Sequence, residues 1–232
     1  MKKRSFHDRS FSMAIFPLHF LNSHLFIEIE GALWLFDTGS PQSFGPPLHL
    51  DGKQFRLRSN LMGFNSETLS QYVGQECRGL LGADVLGGFD FILDTVQQRV
   101  TLSSGELDLE GVAVPLKMFM GIPQMRTLIR GTEYHMFFDT GAQFSYFQHD
   151  SLLSFPYVGR VTDFHPGVGE FEIDVYRVEV SIGNVLLSLT TGSLPTPLKG
   201  LLNMTDADGI LGNELCKDRR VGYAPRRSVL YL

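Results

Sequence analysis

Leu35-Phe36-Asp37-Thr38-Gly39-Ser40 and Phe137-Phe138-Asp139-Thr140-Gly141-Ala142 are near copies of one another, set 102 residues apart. Each is an apolar, β-rich run that breaks abruptly at an acid, a hydroxyl and a glycine. An aspartate at such a break sits where a buried strand turns, so apolar surroundings disfavour its charged form. The repetition points to a duplicated unit whose two acids meet across a pseudo-twofold axis. Two carboxylates that close cannot both ionise cheaply; they share a proton, which leaves one as base and the other as acid.

The repeat extends in both directions. Downstream of each loop stands an apolar-apolar-glycine, in Gly79-Leu80-Leu81-Gly82 and in Asp208-Gly209-Ile210-Leu211-Gly212. An acid follows two residues after the glycine in both halves, Asp84 and Glu214. Apolar residues fall nine and eighteen after it in both, Phe91 and Val100 in the first half, Val221 and Leu230 in the second. Phase shared over that length is a mark of internal duplication. Upstream, each acid lies at the end of a hairpin. Leu25-Phe26-Ile27-Glu28-Ile29-Glu30 alternates at period two, as a half-buried strand does, turns at Gly31 and returns through Ala32-Leu33-Trp34. Thr127-Leu128-Ile129-Arg130, Gly131 and Tyr134-His135-Met136 repeat the arrangement.

These loops, each followed by its apolar-apolar-glycine, resemble the catalytic loops of the pepsin-like and retropepsin-like aspartic proteases, and the resemblance covers most of the chain. It implies an all-β acid-protease fold of two pseudo-twofold-related β-barrel lobes with short helices, residues 1–105 and 106–232. It also implies an aspartic-type endopeptidase with Asp37 and Asp139 as the catalytic pair. In that mechanism the ionised acid takes a proton from a water held between the two, and the protonated acid donates to the developing oxyanion. Thr38 and Thr140 would lock the loops together through hydroxyl-to-backbone bonds, and Gly39 and Gly141 would let backbone amides approach the carboxylates. Ser40 would hydrogen-bond Asp37, where Ala142 has no hydroxyl for Asp139, making Asp37 the more readily ionised acid. The implied partner is a peptide or protein substrate laid across the cleft as an added strand. A single chain that carries both acids is expected to be a monomeric pseudo-dimer. Two rival readings stand beside this one. One is a catalytically inactive member of the fold that binds a peptide or protein in the cleft; the other is a β-barrel binding module whose acids are structural.

The region between each loop and its glycine should shape the cleft. It spans 43 residues from Gly39 to Gly82 and 71 from Gly141 to Gly212, so the second half carries 28 more. The first half offers a hairpin-like pair of runs around Met62-Gly63-Phe64-Asn65, with Tyr72 read as a strand-packing residue. The second offers Phe164-His165-Pro166-Gly167-Val168-Gly169, then the alternating run from Phe171 to Val180 and a return strand after Gly183-Asn184. Either tip fits the mobile flap of the family. Helices are expected only as short turns after Gly82 and Gly212, and a polar linker near Ser103-Ser104-Gly105-Glu106-Leu107-Asp108.

Composition narrows the remaining classes. The 232 residues are 43% hydrophobic and 19% charged, a globular balance, and the formal charge of −5 offers no basic face for nucleic acid. Lys2-Lys3-Arg4, Arg219-Arg220 and Arg226-Arg227 read as a solvated tail and surface turns. Two cysteines, Cys77 and Cys216, are expected as free thiols in a reducing compartment, which points to the cytoplasm. Cysteines and histidines show no metal-ligand spacing, and there is no phosphate loop or nucleophile elbow, so neither metal nor cofactor is expected. The run Phe11-Ser12-Met13-Ala14-Ile15-Phe16-Pro17-Leu18 resembles a signal peptide in outline, but it is short and broken by Pro17, and reads as a first strand. Nothing runs apolar for the ~20 residues that a membrane span needs.

Overall fold

The computed structural model of the chain describes residues 13–232, the side chain of Leu201 excepted. The Lys2-Lys3-Arg4 cluster and the first residues of the Phe11–Leu18 run lie outside the described residues. In chain order the elements are β1 (Met13–Leu21), β2 (His24–Ile29), β3 (Ala32–Phe36), β4 (Leu48–Leu50), β5 (Lys53–Phe55), α1 (Ser66–Val73), β6 (Gly79–Leu81), α2 (Ala83–Leu86), β7 (Asp90–Asp94) and β8 (Arg99–Ser103). They continue with β9 (Ala113–Pro115), β10 (Lys117–Phe119), β11 (Ile122–Ile129), β12 (Thr132–Phe138), β13 (Ser145–Phe147), β14 (Tyr157–His165), β15 (Gly169–Ile182) and β16 (Val185–Gly192). Last come α3 (Thr196–Asn203), β17 (Gly209–Leu211), β18 (Arg220–Ala224) and β19 (Val229–Tyr231). With 50% strand and 14% helix the protein is all-β. Among the described residues no helix is long and apolar enough to cross a membrane.

Two large sheets result, ordered β6-β3-β2-β1-β8-β7-β18-β19-β9 and β10-β11-β12-β17-β13-β16-β15-β14. The first sheet takes strands from either side of residue 105, because β18 pairs with β7. The hairpins β2–β3 and β11–β12 turn at Glu30-Gly31 (φ 52° and 74°) and Arg130-Gly131 (φ 50° and 80°). Two successive positive φ values match the twist of a two-residue hairpin, and glycine takes the second without strain. Each hairpin then finds a parallel neighbour, Phe36 opposite Leu81 and Phe138 opposite Leu211. The apolar-apolar-glycine thus runs beside the strand that ends in an aspartate. Asp37 N–H donates to Leu81 O (3.0 Å) and Asp139 N–H to Leu211 O (2.9 Å).

Strand β2 is covered on both faces, although its alternation suggests one. Leu25, Ile27 and Ile29 enter the large core, Phe26 enters a second cluster with Phe44, Phe64 and Leu69, and Glu28 holds His19 at 2.9 Å. Beneath both aspartates runs a chain of buried rings. Phe36 meets Phe91 edge-on (5.2 Å), Phe91 stacks on Tyr223 (6.2 Å), and Tyr223 meets Phe138 edge-on (6.1 Å). Phe36 and Phe138 are the residues immediately before Asp37 and Asp139, so one core anchors both acids.

Helix extends beyond the turns after Gly82 and Gly212. Those turns are α2 and a 3-10 turn at Asn213–Cys216, but α1 and α3 are longer. Asn65 caps α1 by accepting from Thr68 N–H (2.9 Å), and Gly74 closes it in a left-handed conformation at φ 63°. Of the expected first-half hairpin only a tight Leu61–Phe64 bridge remains, and Tyr72 lies on α1 instead of a strand. Arg226 and Arg227 also depart from expectation. In place of a solvated turn, both grip the fully buried Asp90 (2.8 and 2.6 Å) and bond the carbonyls of Ser104, Gly105 and Leu107. A buried carboxylate requires such partners, and through them the polar Ser103–Asp108 stretch is pinned. Both cysteines are buried and free.

Phe91→Ala should cost about 3–5 kcal/mol of stability in denaturant unfolding, as expected for emptying a fully buried aromatic site. Because the ring supports both loops, amide exchange at residues 37–40 and 139–142 should quicken together. Exchange that stays slow in one loop would show that the loop is held independently of this core.

Candidate active site

The two aspartate loops are tied by four hydrogen bonds between Thr38 and Thr140 and the strands behind them. Thr38 N–H donates to Thr140 Oγ1 and Thr140 N–H to Thr38 Oγ1, both at 3.0 Å. The hydroxyls donate onward, Thr38 to Phe138 O (2.7 Å) and Thr140 to Phe36 O (2.6 Å). Both threonines are buried, so every one of these bonds satisfies a group that has no water to turn to.

This tie brings the carboxylates together. Asp37 Oδ1 accepts from Gly39 N–H and Ser40 N–H, both at 2.9 Å. Asp139 Oδ1 accepts from Gly141 N–H (2.9 Å) and Ala142 N–H (3.2 Å). The two carboxyl groups are in hydrogen-bonding contact with each other. A Cβ on Gly39 would overlap the carboxyl of Asp139, and one on Gly141 would overlap that of Asp37. Each glycine therefore makes room for the opposite acid as well as exposing its amide to its own. Burial pushes both carboxyls up from the usual range, and for Asp37 the charge of Asp139 adds to the effect. The backbone N–H donors oppose this without reversing it. A pair so placed keeps one proton at a pH where isolated carboxyls have lost theirs.

Ser40 does not act as expected. Its hydroxyl donates to Gln42 O (2.8 Å), closing the local turn, and only its backbone N–H reaches Asp37. Both acids thus have the same kind of cradle, two backbone N–H groups each, and the Ser40 hydroxyl does nothing to make Asp37 the more readily ionised acid.

Ser43 and Ser145 support the loops, a role that the motif reading of the sequence misses. Gly82 N–H donates to Ser43 Oγ (2.8 Å) and Gly212 N–H to Ser145 Oγ (3.1 Å). Each serine stands six residues after its aspartate, so the repeat itself carries the signal. Asp84 and Glu214, alike in sequence position, part company. Asp84 accepts from Ser43 N–H (2.8 Å) and its hydroxyl (2.5 Å), whereas Glu214 faces Arg177 (3.1 Å) and Thr190 N–H (2.6 Å).

Above the pair lies a cavity of about 220 Å³ with Asp37, Gly39, Asp139 and Gly141 on its lining. Leu35, Phe44 and Leu80 wall the first half's side, Leu194, Leu198 and Ile210 the other, and Phe164, His165 and Pro166 bring in the tip of the β14–β15 hairpin. That hairpin belongs to the second half but rests on the first. Phe164 stacks on Tyr72 (4.8 Å) and lies parallel to Phe64 (6.3 Å), with His24 at 6.1 Å. The end of the Met62 side chain also comes close to Gly167.

Thr38→Val keeps the shape and removes the hydroxyl, leaving Phe138 O and Thr140 N–H without their partner. A loss of about 2–6 kcal/mol in unfolding free energy is expected, from two buried polar groups at about 1–3 kcal/mol each. Asp37→Asn should act in the opposite direction. A carboxyl raised by burial destabilises the fold as pH rises above about 4, where the unfolded chain would already have lost the proton. The amide carries no such cost, so the Asp37→Asn variant should be more stable than wild type at pH 7, with the gap closing towards pH 4. Equal melting of the two proteins at both pH values would show that Asp37 is not under this strain. A scan against models of known protein families finds no match to this chain, and a search of the curated proteins finds none either.

Proposed function

We propose that the protein is an aspartic-type endopeptidase in which Asp37 and Asp139 share a proton and activate one water for attack on a peptide carbonyl. The observation that carries this reading is the contact of two carboxylates, each cradled by two backbone N–H groups, at the bottom of an apolar cavity. The ionised acid is positioned to take the water's proton, and the protonated acid to donate to the oxygen that gains charge. Neither step needs a side chain to change place, because the threonine tie holds both loops. No covalent intermediate on the chain is required.

The same reading sees the chain as a single-chain relative of the pepsin-like and retropepsin-like proteases, two lobes meeting at the dyad. The apolar walls on both sides of the acids suit an extended peptide with apolar side chains next to the cleaved bond. The β14–β15 hairpin would supply the cover that excludes water from the reacting centre.

Cleavage of a peptide library, followed by mass spectrometry, tests the proposal. Asp37→Asn and Asp139→Asn should each lower kcat by at least about 10²–10⁴-fold, the usual worth of a positioned acid or base. A peptide with a statine-type secondary hydroxyl in place of the scissile carbonyl should block the wild type. The rate should follow a bell in pH, since only the singly protonated pair works. Cleavage that survives either substitution would remove the mechanism.

A further inference from the structure

Asp163 stands near the end of β14, just before the turn of the hairpin over the cavity, and is only 7% exposed. Three donors converge on it: the Tyr146 hydroxyl, Gln143 Nε2 (2.9 Å) and Phe164 N–H (2.8 Å). Gln143 and Tyr146 lie four and seven residues after Asp139, on the stretch that leads from the second aspartate loop into β13. Asp163 also lines the cavity that contains Asp37 and Asp139, and among the described residues it is the third carboxylate there. The acid–base steps above make no use of it. A buried tyrosine hydroxyl needs an acceptor, but a neutral carbonyl would serve; a carboxylate in this place costs desolvation and brings a charge.

Building on the proton-sharing pair of the proposed function, we infer that Asp163 is a positioning residue for the dyad. It fastens the covering hairpin to the loop that bears Asp139 and sets a third carboxylate in the cavity that holds the pair. The titratable groups that face Asp163 are Tyr146 from β13, His24 from β2, His165 on its own strand, and Asp139. Burial lowers the proton affinity of His24 and His165, so both stay neutral near pH 7 and leave the charge of Asp163 uncancelled. Burial raises the Tyr146 hydroxyl, which remains a donor. Burial is the main cause of the raised proton affinity of Asp139, and the carboxylate of Asp163 adds to it in the same direction. Because that charge rides on the hairpin, the position of the cover and the proton affinity of the dyad are coupled.

Carbon-13 NMR titration of the Asp37 and Asp139 carboxyls in the full chain tests this without requiring cleavage. Asp163→Asn should move the upper midpoint of the pair down by about 0.5–1 pH unit, the size expected for removing one nearby charge. Asp163→Glu should restore it. Tyr146→Phe, which keeps the charge but cuts one tether, should leave the midpoint in place and speed amide exchange at residues 164–169. If Asp163→Asn does not fold, Asp163→Ser removes the same charge. A midpoint identical in wild type and neutral variants overturns the inference, and so does a midpoint that falls equally in Tyr146→Phe. A shifted midpoint in a chain that cleaves no peptide keeps this inference and removes the peptidase reading. Where the wild type does cleave, the basic limb of kcat/KM should move with the midpoint.

Discussion

Thr38 and Thr140 each use a hydroxyl both to accept a backbone N–H from the opposite loop and to donate to the strand behind it. Neither loop can satisfy its buried backbone alone, since parting them would leave donors and acceptors without partners at about 1–3 kcal/mol each. Most features of the site follow from that constraint. The loops approach until each carboxylate occupies the space where the other loop's glycine would carry a Cβ. The acids are then crowded, desolvated and in contact, and the raised proton affinity of both is a consequence of the tie beneath them.

Support under the tie is shared. Phe36 and Phe138, one residue behind each acid, are joined through Phe91 and Tyr223, and Tyr223 reaches the first half's β7 by way of the sheet. Arg226 and Arg227 hold the same junction from outside through Asp90. Above the tie the halves diverge in part. Each builds an eight-residue helix ahead of its apolar-apolar-glycine, α1 and α3, but the second half spends its additional length on the long β14–β15 hairpin, which crosses to stack Phe164 on Tyr72. A repeated floor and an unequal superstructure give a cavity with two similar acids and a cover drawn from the second half.

The hairpins, the two strand-ending aspartates and the glycines are legible in the sequence because each rests on local chemistry: period-two apolar runs, turn residues, and a repeated motif. The N-cap of α1 is also local, in Asn65-Ser66-Glu67, but the apolar residues on either side mask it by suggesting a returning strand. The orientation of the Ser40 hydroxyl, the grip of Arg226 and Arg227 on Asp90, and the three donors on Asp163 have no local signal. In each case the partner lies elsewhere in the fold or is chosen among several acceptors within reach.

Sequence alone determined that two aspartates would end two similar hairpins, each beside an apolar-apolar-glycine, in a chain made mostly of strand. Only the tertiary structure decided that their carboxylates touch, that Thr38 and Thr140 enforce it, and that a hairpin of the second half covers the pair with a third acid near its tip. Strand formation follows from the spacing of apolar residues along the chain, whereas the position of a buried polar atom is set by whichever distant donor or acceptor the closed core leaves within reach.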